Sequence, residues 1–213
     1  MVTWIEYDEN IIEKKWDVLL DEIGCHHYMQ GFSWGEFKNA SSWQVSRWIA
    51  YDESGKISVL LQGFIKKILP HIAIFWVPGG ASGDFSKIDY FLTKKIKNKY
   101  NVHVLHFRQS VLIENGLTTK SMSQVAGWKK SHQSISNPQS MLLDISLDTE
   151  KLRLNLSRNW RHNLKRSKKY NLSIKETDDV KIQDVMLIYE SMCAYKKLPQ
   201  PYSTDELRHL FEK

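Results

Sequence analysis

The sequence predicts an α/β protein with a mixed sheet, and three observations predict it. Short runs of β period alternate with runs of helical period along the 213 residues. Two of the β runs, 44–51 and 57–68, are joined by Asp52-Glu53-Ser54-Gly55-Lys56, a composition that favours a hairpin turn. A third, 71–77, closes on Pro78-Gly79-Gly80-Ala81-Ser82-Gly83 and feeds a helical run, so strand and helix meet at a glycine-rich bend.

The elements follow in order. A strand at 3–7 precedes a helix in which Ile12, Trp16 and Leu20 recur at i, i+4 and i+8, and Gly24 ends it. A short helix at 33–39 carries Trp34, Phe37 and Lys38. Beyond the third strand, residues 84–100 read as a helix with Asp84 as its cap and Phe85, Ile88, Phe91 and Ile96 inward. Residues 102–107 return to strand. The pattern then weakens over 110–138, which places a boundary between a first domain, 1–138, and a second, 139–213. The second unit is expected to hold a strand at 141–147, a long helix at 149–170 and a strand at 172–176. A helix at 180–195 with the stripe Ile182, Val185, Tyr189 and Met192 follows, then a last helix opening at Ser203-Thr204.

Composition limits the function classes. Two cysteines, Cys25 and Cys193, cannot form a disulfide framework, which points to a reducing, cytoplasmic setting. The N-terminal segment carries acids and does not read as a signal peptide. The most apolar stretch, 57–77, is interrupted by Lys66, Lys67, Pro70 and His71, so no transmembrane segment is expected. Thirty Lys and Arg against 24 Asp and Glu give +6, a surplus that favours anionic partners: nucleic acid, phosphorylated molecules or the inner membrane surface.

The sharpest charge signal lies at 151–169, where Lys151, Arg153, Arg158, Arg161, Lys165, Arg166, Lys168 and Lys169 occur without an acid. On a helix, Leu156, Trp160, Leu164 and Ser167 form one stripe, and Arg158, Arg161, Lys165 and Lys168 form another beside it. Like charges at this spacing repel unless an anion or acidic surface compensates, and the planar fork of Arg suits phosphate. A solvated basic face is the plain alternative. Arg161 stands out because it adjoins a stripe expected to be buried. Cys25-His26-His27 lacks a second ligand pair at metal-site spacing, so no metal is assigned. The 78–83 loop matches no phosphate-binding fingerprint and reads as a sharp turn. No nucleophile elbow or paired carboxylates nominate a catalytic residue.

A weak internal repeat accompanies this pattern. The segments beginning at Trp4 and Ser173 both run strand, acidic turn, amphipathic helix, with Ile5 on Ile174, Trp16 on Val185 and Leu19 on Ile188. A second unit built this way would need residues beyond 213 for its central sheet, so the second unit is expected to be incomplete.

Four segments resemble the FemABX proteins, which are built from tandem GNAT-like acyltransferase domains. They are Tyr28-Met29-Gln30-Gly31-Phe32-Ser33-Trp34-Gly35-Glu36-Phe37-Lys38, Phe75-Trp76-Val77-Pro78-Gly79-Gly80, Met141-Leu142-Leu143-Asp144-Ile145-Ser146, and the run from Trp160 to Lys169. Their order matches the family over nearly the whole chain. The resemblance implies a GNAT-like first domain, the opening of a second, and transfer of an aminoacyl group from aminoacyl-tRNA to an amine of a peptidoglycan precursor. It places Lys38 and Arg161 at the precursor's phosphates, with Trp34, Arg158 and Lys165 completing the expected substrate-binding set. No cofactor is implied beyond the acyl donor itself, aminoacyl-tRNA or, in relatives of this architecture, acyl-CoA. The partners implied are a phosphorylated cell-wall or polysaccharide precursor, tRNA, and the inner membrane surface as a peripheral contact. Gly79-Gly80 departs from the family's Arg-Gly, and Asn171 replaces a Gly after the basic helix. Two other readings stay open: a CoA-dependent N-acyltransferase of the GNAT superfamily in polysaccharide or cell-envelope biosynthesis, and a non-enzymatic nucleic-acid-binding module.

Overall fold

A computed structural model describes residues 2–24, 26–40, 43–110, 128, 129, 131, 143–173, 181–198, 202, 203, 205 and 208. Its centre is a six-stranded sheet of β1 (Thr3–Glu6), β2 (Gln44–Tyr51), β3 (Ile57–Leu69), β4 (Ile72–Val77), β5 (Ser82–Gly83) and β6 (Val104–Gln109). The order is β1-β2-β3-β4-β6, with β5 paired to β3. Neighbours are antiparallel except β4 and β6, which run parallel from Ile72↔Val104 to Val77↔Gln109. The mixed sheet is therefore as expected. Its parallel pair arises because α3 (Tyr90–Tyr100) provides the crossover between them.

The β2–β3 turn forms as its composition predicts. Asp52 Oδ1 accepts from Ser54 N at 2.9 Å and from Lys56 N at 3.0 Å, and Gly55 takes φ +79. A hydrogen bond from Ser54 Oγ at 2.6 Å, together with these backbone bonds, holds the Asp52 carboxyl below its ordinary pKa.

Both sheet faces are covered, which explains why β3 is buried without interruption from Val59 to Ile65. One face presents Trp4, Trp48, Ala50, Val59, Leu61, Ile65, Ala73, Phe75 and Val77 to Ile88, Leu92 and Ile96. The other presents Ile49 and Leu60 to Trp16, Leu19 and Leu20 of α1 (Trp16–Ile23). Gly24, at φ +95, terminates α1 and donates to Leu20 O.

The expected helix at 84–100 divides. Asp84 Oδ1 accepts from Ser86 N at 3.1 Å and caps only a short 3-10 turn, Phe85–Lys87. Asp89 then caps α3 through Leu92 N at 3.0 Å. This later start turns Leu92 into the core and leaves Phe91 exposed, reversing the expected assignment. Asp89→Ala should cost about 1 kcal/mol, seen as a fall of roughly 2–4 °C in Tm for a chain of this size.

Three further expectations change. Residues 143–148 form a turn, not a strand, because Asp144 Oδ1 accepts from Ser146 N at 2.9 Å and from Ser146 Oγ at 2.6 Å. The long helix at 149–170 is broken into α4 (Thr149–Asn155) and α5 (Arg158–Ser167) plus a 3-10 turn, Lys168–Tyr170. Leu156 is extended, and Ser157 restarts the helix as a cap for Trp160 N. The stripe of Trp160 and Leu164 is exposed, so Arg161 adjoins no buried surface.

In α6 (Ile182–Lys196) Met186 and Cys193 are the buried positions, and Met192 is exposed. Ile188 is also exposed, whereas Leu19, its counterpart in the proposed repeat, is buried. The strand expected at 172–176 and the last helix fall largely outside the described residues, as do Cys25 and most of the 110–138 boundary.

Candidate functional site

The site is built from α2 (Phe32–Asn39) and the polar network that mounts it on the sheet. α2 lacks a side-chain cap of its own; Asp17 of α1 serves instead, its Oδ1 accepting from Phe32 N at 2.8 Å.

Gln30, fully buried just before α2, does the work of a missing strand residue. β3 pairs with β4 only as far as Phe64↔Trp76, and with β5 only from Leu60. The gap leaves the backbone of Gln62 facing outward. Gln30 Nε2 donates to Gln62 O at 3.0 Å and to Pro78 O at 2.8 Å, and its Oε1 accepts from Gln62 N at 2.7 Å. Gln30 O in turn accepts from Trp16 Nε1 at 2.7 Å. A side-chain amide has the donor and acceptor of a peptide group, so it can satisfy a strand edge that the core would otherwise leave unpaired.

The Gln62 side chain continues the network. Its Nε2 donates to Met29 O at 3.0 Å and Gly31 O at 2.9 Å, and its Oε1 accepts from Arg47 Nε at 2.7 Å. Arg47 Nη2 donates to Phe32 O and to Glu36 Oε1, both at 3.1 Å, and the guanidinium lies 4.1 Å over the Phe32 ring. Burial lowers the Arg47 pKa, and the Glu36 carboxylate opposes that shift. Gly35 leaves room for this head group; a Cβ there would overlap Arg47 Nη2 and Gln62 Oε1.

Lys38 sits in the last turn of this anchored helix among aromatic rings. Its Nζ lies 5.5 Å from the Trp34 ring, 5.0 Å from Phe37 and 4.8 Å from Tyr202. Cation–π attraction of this kind holds an ammonium in place without neutralising it. Trp34 is braced by Tyr28 at 5.5 Å and Phe37 at 5.3 Å, and its Nε1 is buried with no hydrogen-bond partner among the described residues. Such an orphaned donor is costly unless a ligand or water meets it.

The loop after β4 abuts the same region. Gly79 takes φ +72, and a Cβ there would overlap His27. His27 Nδ1 accepts from Met29 N at 3.2 Å, and burial lowers the ring's pKa, favouring the neutral form. His26 Nδ1 lies 2.9 Å from Gly24 O. Among the described residues, no group of three or more metal-ligating side chains converges.

The second expected group lies on α5. Arg158, Arg161 and Lys165 are all exposed. Arg161 Nη1 donates to Leu154 O at 2.7 Å, satisfying a carbonyl at the end of α4 and bridging the helix break. Lys165 lines an open groove of about 560 Å³ together with His162, Arg166, Lys169 and Tyr170; Arg158 and Arg161 do not line it. Trp34 and Lys38 are thus brought together, and Arg158, Arg161 and Lys165 share one helix.

Sequence reasoning missed Gln62, Arg47 and Tyr202. Nothing in the alternation of β2 and β3 marks Arg47 and Gln62 as a buried pair, and Tyr202 lies far along the chain from Lys38.

The geometry of sheet, crossover and α2 has a counterpart among solved structures. FemX superposes with a TM-score of 0.72 at 13% identity, covering 99% of this chain. The fold is that of FemX. The expected FemABX-like, GNAT-like α/β architecture is thereby met. The match covers 54% of FemX, so this chain spans about half the length of FemX. The aminoglycoside antibiotic 6'-N-acetyltransferase AAC(6')-Ih from Acinetobacter baumannii gives a TM-score of 0.40 at 10% identity, over 66% of this chain and 99% of its own. That likeness is too loose to carry an argument. No family model and no curated protein matches the sequence.

Proposed function

We propose that this chain carries the substrate-gripping half of a FemX-like acyltransferase. The reaction is transfer of an aminoacyl group from aminoacyl-tRNA to an amine of a phosphorylated peptidoglycan precursor. The supporting observation is Lys38, an ammonium ringed by Trp34, Phe37 and Tyr202 on a helix tied to a FemX-like sheet by buried hydrogen bonds. In this reading Lys38 and Arg161 take the precursor's phosphates, Trp34 offers its buried Nε1–H and ring, and Arg158 and Lys165 extend the positive surface toward the donor.

The chemistry asks little of side chains. The acceptor amine attacks the ester carbonyl of the donor, a tetrahedral oxyanion forms, and the tRNA hydroxyl leaves as the amine's proton is lost. Holding the reactants together and excluding water supply most of the acceleration in such a transfer. The role of the Lys38 region is therefore binding and orientation, and no residue here is assigned as acid or base.

Titrating a diphosphate-bearing muropeptide precursor into wild type, Lys38→Ala and Arg161→Ala tests the reading. A charge-assisted contact to phosphate contributes about 1.5–3 kcal/mol, so each substitution should raise Kd roughly 10–100-fold. Affinity unchanged by both substitutions would remove the proposal and leave the fold. A CoA-dependent enzyme would instead bind acyl-CoA tightly and ignore aminoacyl-tRNA. A nucleic-acid module would bind RNA with a steep salt dependence carried by α5.

A further inference from the structure

We propose that the β3–β4 hairpin end of the sheet docks on an anionic lipid bilayer. This inference does not depend on the function proposed for the Lys38 region.

The hairpin projects from the sheet. β2 pairs with β3 only from Gln44↔Ile65, so the last residues of β3 extend past β2 before turning at Pro70-His71. Residues 66–71 are all exposed. Ile68 and Leu69 are 59% and 56% accessible at the tip. Leu69 pairs with Ile72, and Ile72 with Val104, which is 54% accessible, so aliphatic side chains form a row across three strands at this end. Ile72 and Ile74 continue the same sheet face, opposite the one that α3 covers.

Among the described residues of β3, β4 and β6, the groups beside this row are basic or neutral. Lys66 and Lys67 precede it, and His71 and His103 stack across it at 4.7 Å. The end of α3 arrives at the same place, since His103 N and Val104 N both donate to His71 O, and α3 carries Lys94, Lys95 and Lys97, while its Lys99 is paired with Glu6 of β1. The sequence has no Asp or Glu anywhere in 57–83 or 90–110. Protruding aliphatic side chains flanked by lysines, on strands that carry no Asp or Glu, match a bilayer interface on two counts. Acyl chains take the apolar tip, and anionic headgroups take the ammonium groups. An acidic protein partner would satisfy the charge but would have to offer an apolar pocket to a convex tip.

The test is co-sedimentation of the full chain with vesicles of phosphatidylcholine alone or mixed with phosphatidylglycerol. Wild type should bind the mixed vesicles and leave the neutral ones. Ile68→Ser/Leu69→Ser should weaken binding by about tenfold or more, and Lys67→Glu by at least about fivefold, the contribution of one basic residue at such a surface. Both variants alter exposed side chains only, so thermal unfolding should match wild type and confirm that they fold. Arg158→Glu/Lys165→Glu on α5 should retain vesicle binding. The proposal is overturned if wild type ignores mixed vesicles, if it binds neutral and anionic vesicles alike, or if loss follows the α5 variant. It is equally overturned if sedimentation velocity shows a dimer that Ile68→Ser/Leu69→Ser dissociates.

Discussion

Gln30→Met should destabilise the chain by about 4 kcal/mol, lowering Tm by roughly 8–16 °C. Met preserves most of the volume, so the loss isolates hydrogen bonding from packing. Three buried backbone groups are stranded: Gln62 N–H, Gln62 O and Pro78 O, bonded to the Gln30 amide at 2.7, 3.0 and 2.8 Å. A strand residue's N–H and C=O project to the same edge, so β2 cannot recapture the pair from Gln62. Each stranded group carries a penalty of about 1–3 kcal/mol, reduced where water or a small shift relieves it. Urea unfolding of wild type and variant supplies the measurement. A loss below about 1 kcal/mol would show that the gap between β4 and β5 closes without the amide.

The sheet was legible in the sequence because its signals are local. The Asp52–Lys56 turn, the β period and the glycine stops each act within a few residues. What escaped depended on distant partners. Gln30 reads as an ordinary polar residue before a helix until the β4–β5 gap is known. Arg47 and Gln62 sit in strands buried on both faces, where period 2 no longer separates inside from outside. The break at Leu156-Ser157 was hidden for another reason. Basic residues are good helix formers, and summed propensity conceals a serine that gains more as a cap than in a helix interior. The displaced start of α3 is similar: Asp84 and Asp89 are both competent caps, and choosing wrongly rotates the helix enough to exchange Phe91 for Leu92. In the candidate site, Trp34 and Lys38 were visible as a local helical pair. Tyr202, which closes the ring around Lys38, was not.

Gly35→Ala should cost about 2–3 kcal/mol although alanine is the better helix former by about 1 kcal/mol. The added methyl would overlap Arg47 Nη2 and Gln62 Oε1, ends that could swing aside on an exposed surface. Here they are buried and committed, Arg47 to Gln62, Phe32 and Glu36, and Gln62 to Met29 and Gly31. Moving either one breaks bonds that fix where α2 begins. In an Arg47→Leu background the methyl meets a shorter side chain, so the same substitution should lose much of its cost. A double-mutant cycle should therefore show at least about 1 kcal/mol of coupling, and additivity would refute the steric account. Lys38 rides on the same helix one turn further along. Gly35→Ala should thus weaken precursor binding without touching the ligand, and Arg47→Leu/Gly35→Ala should not restore it, because the guanidinium that holds Phe32 O and Glu36 is then absent. Stability recovered without affinity would separate filling the space beneath α2 from holding Lys38 in register.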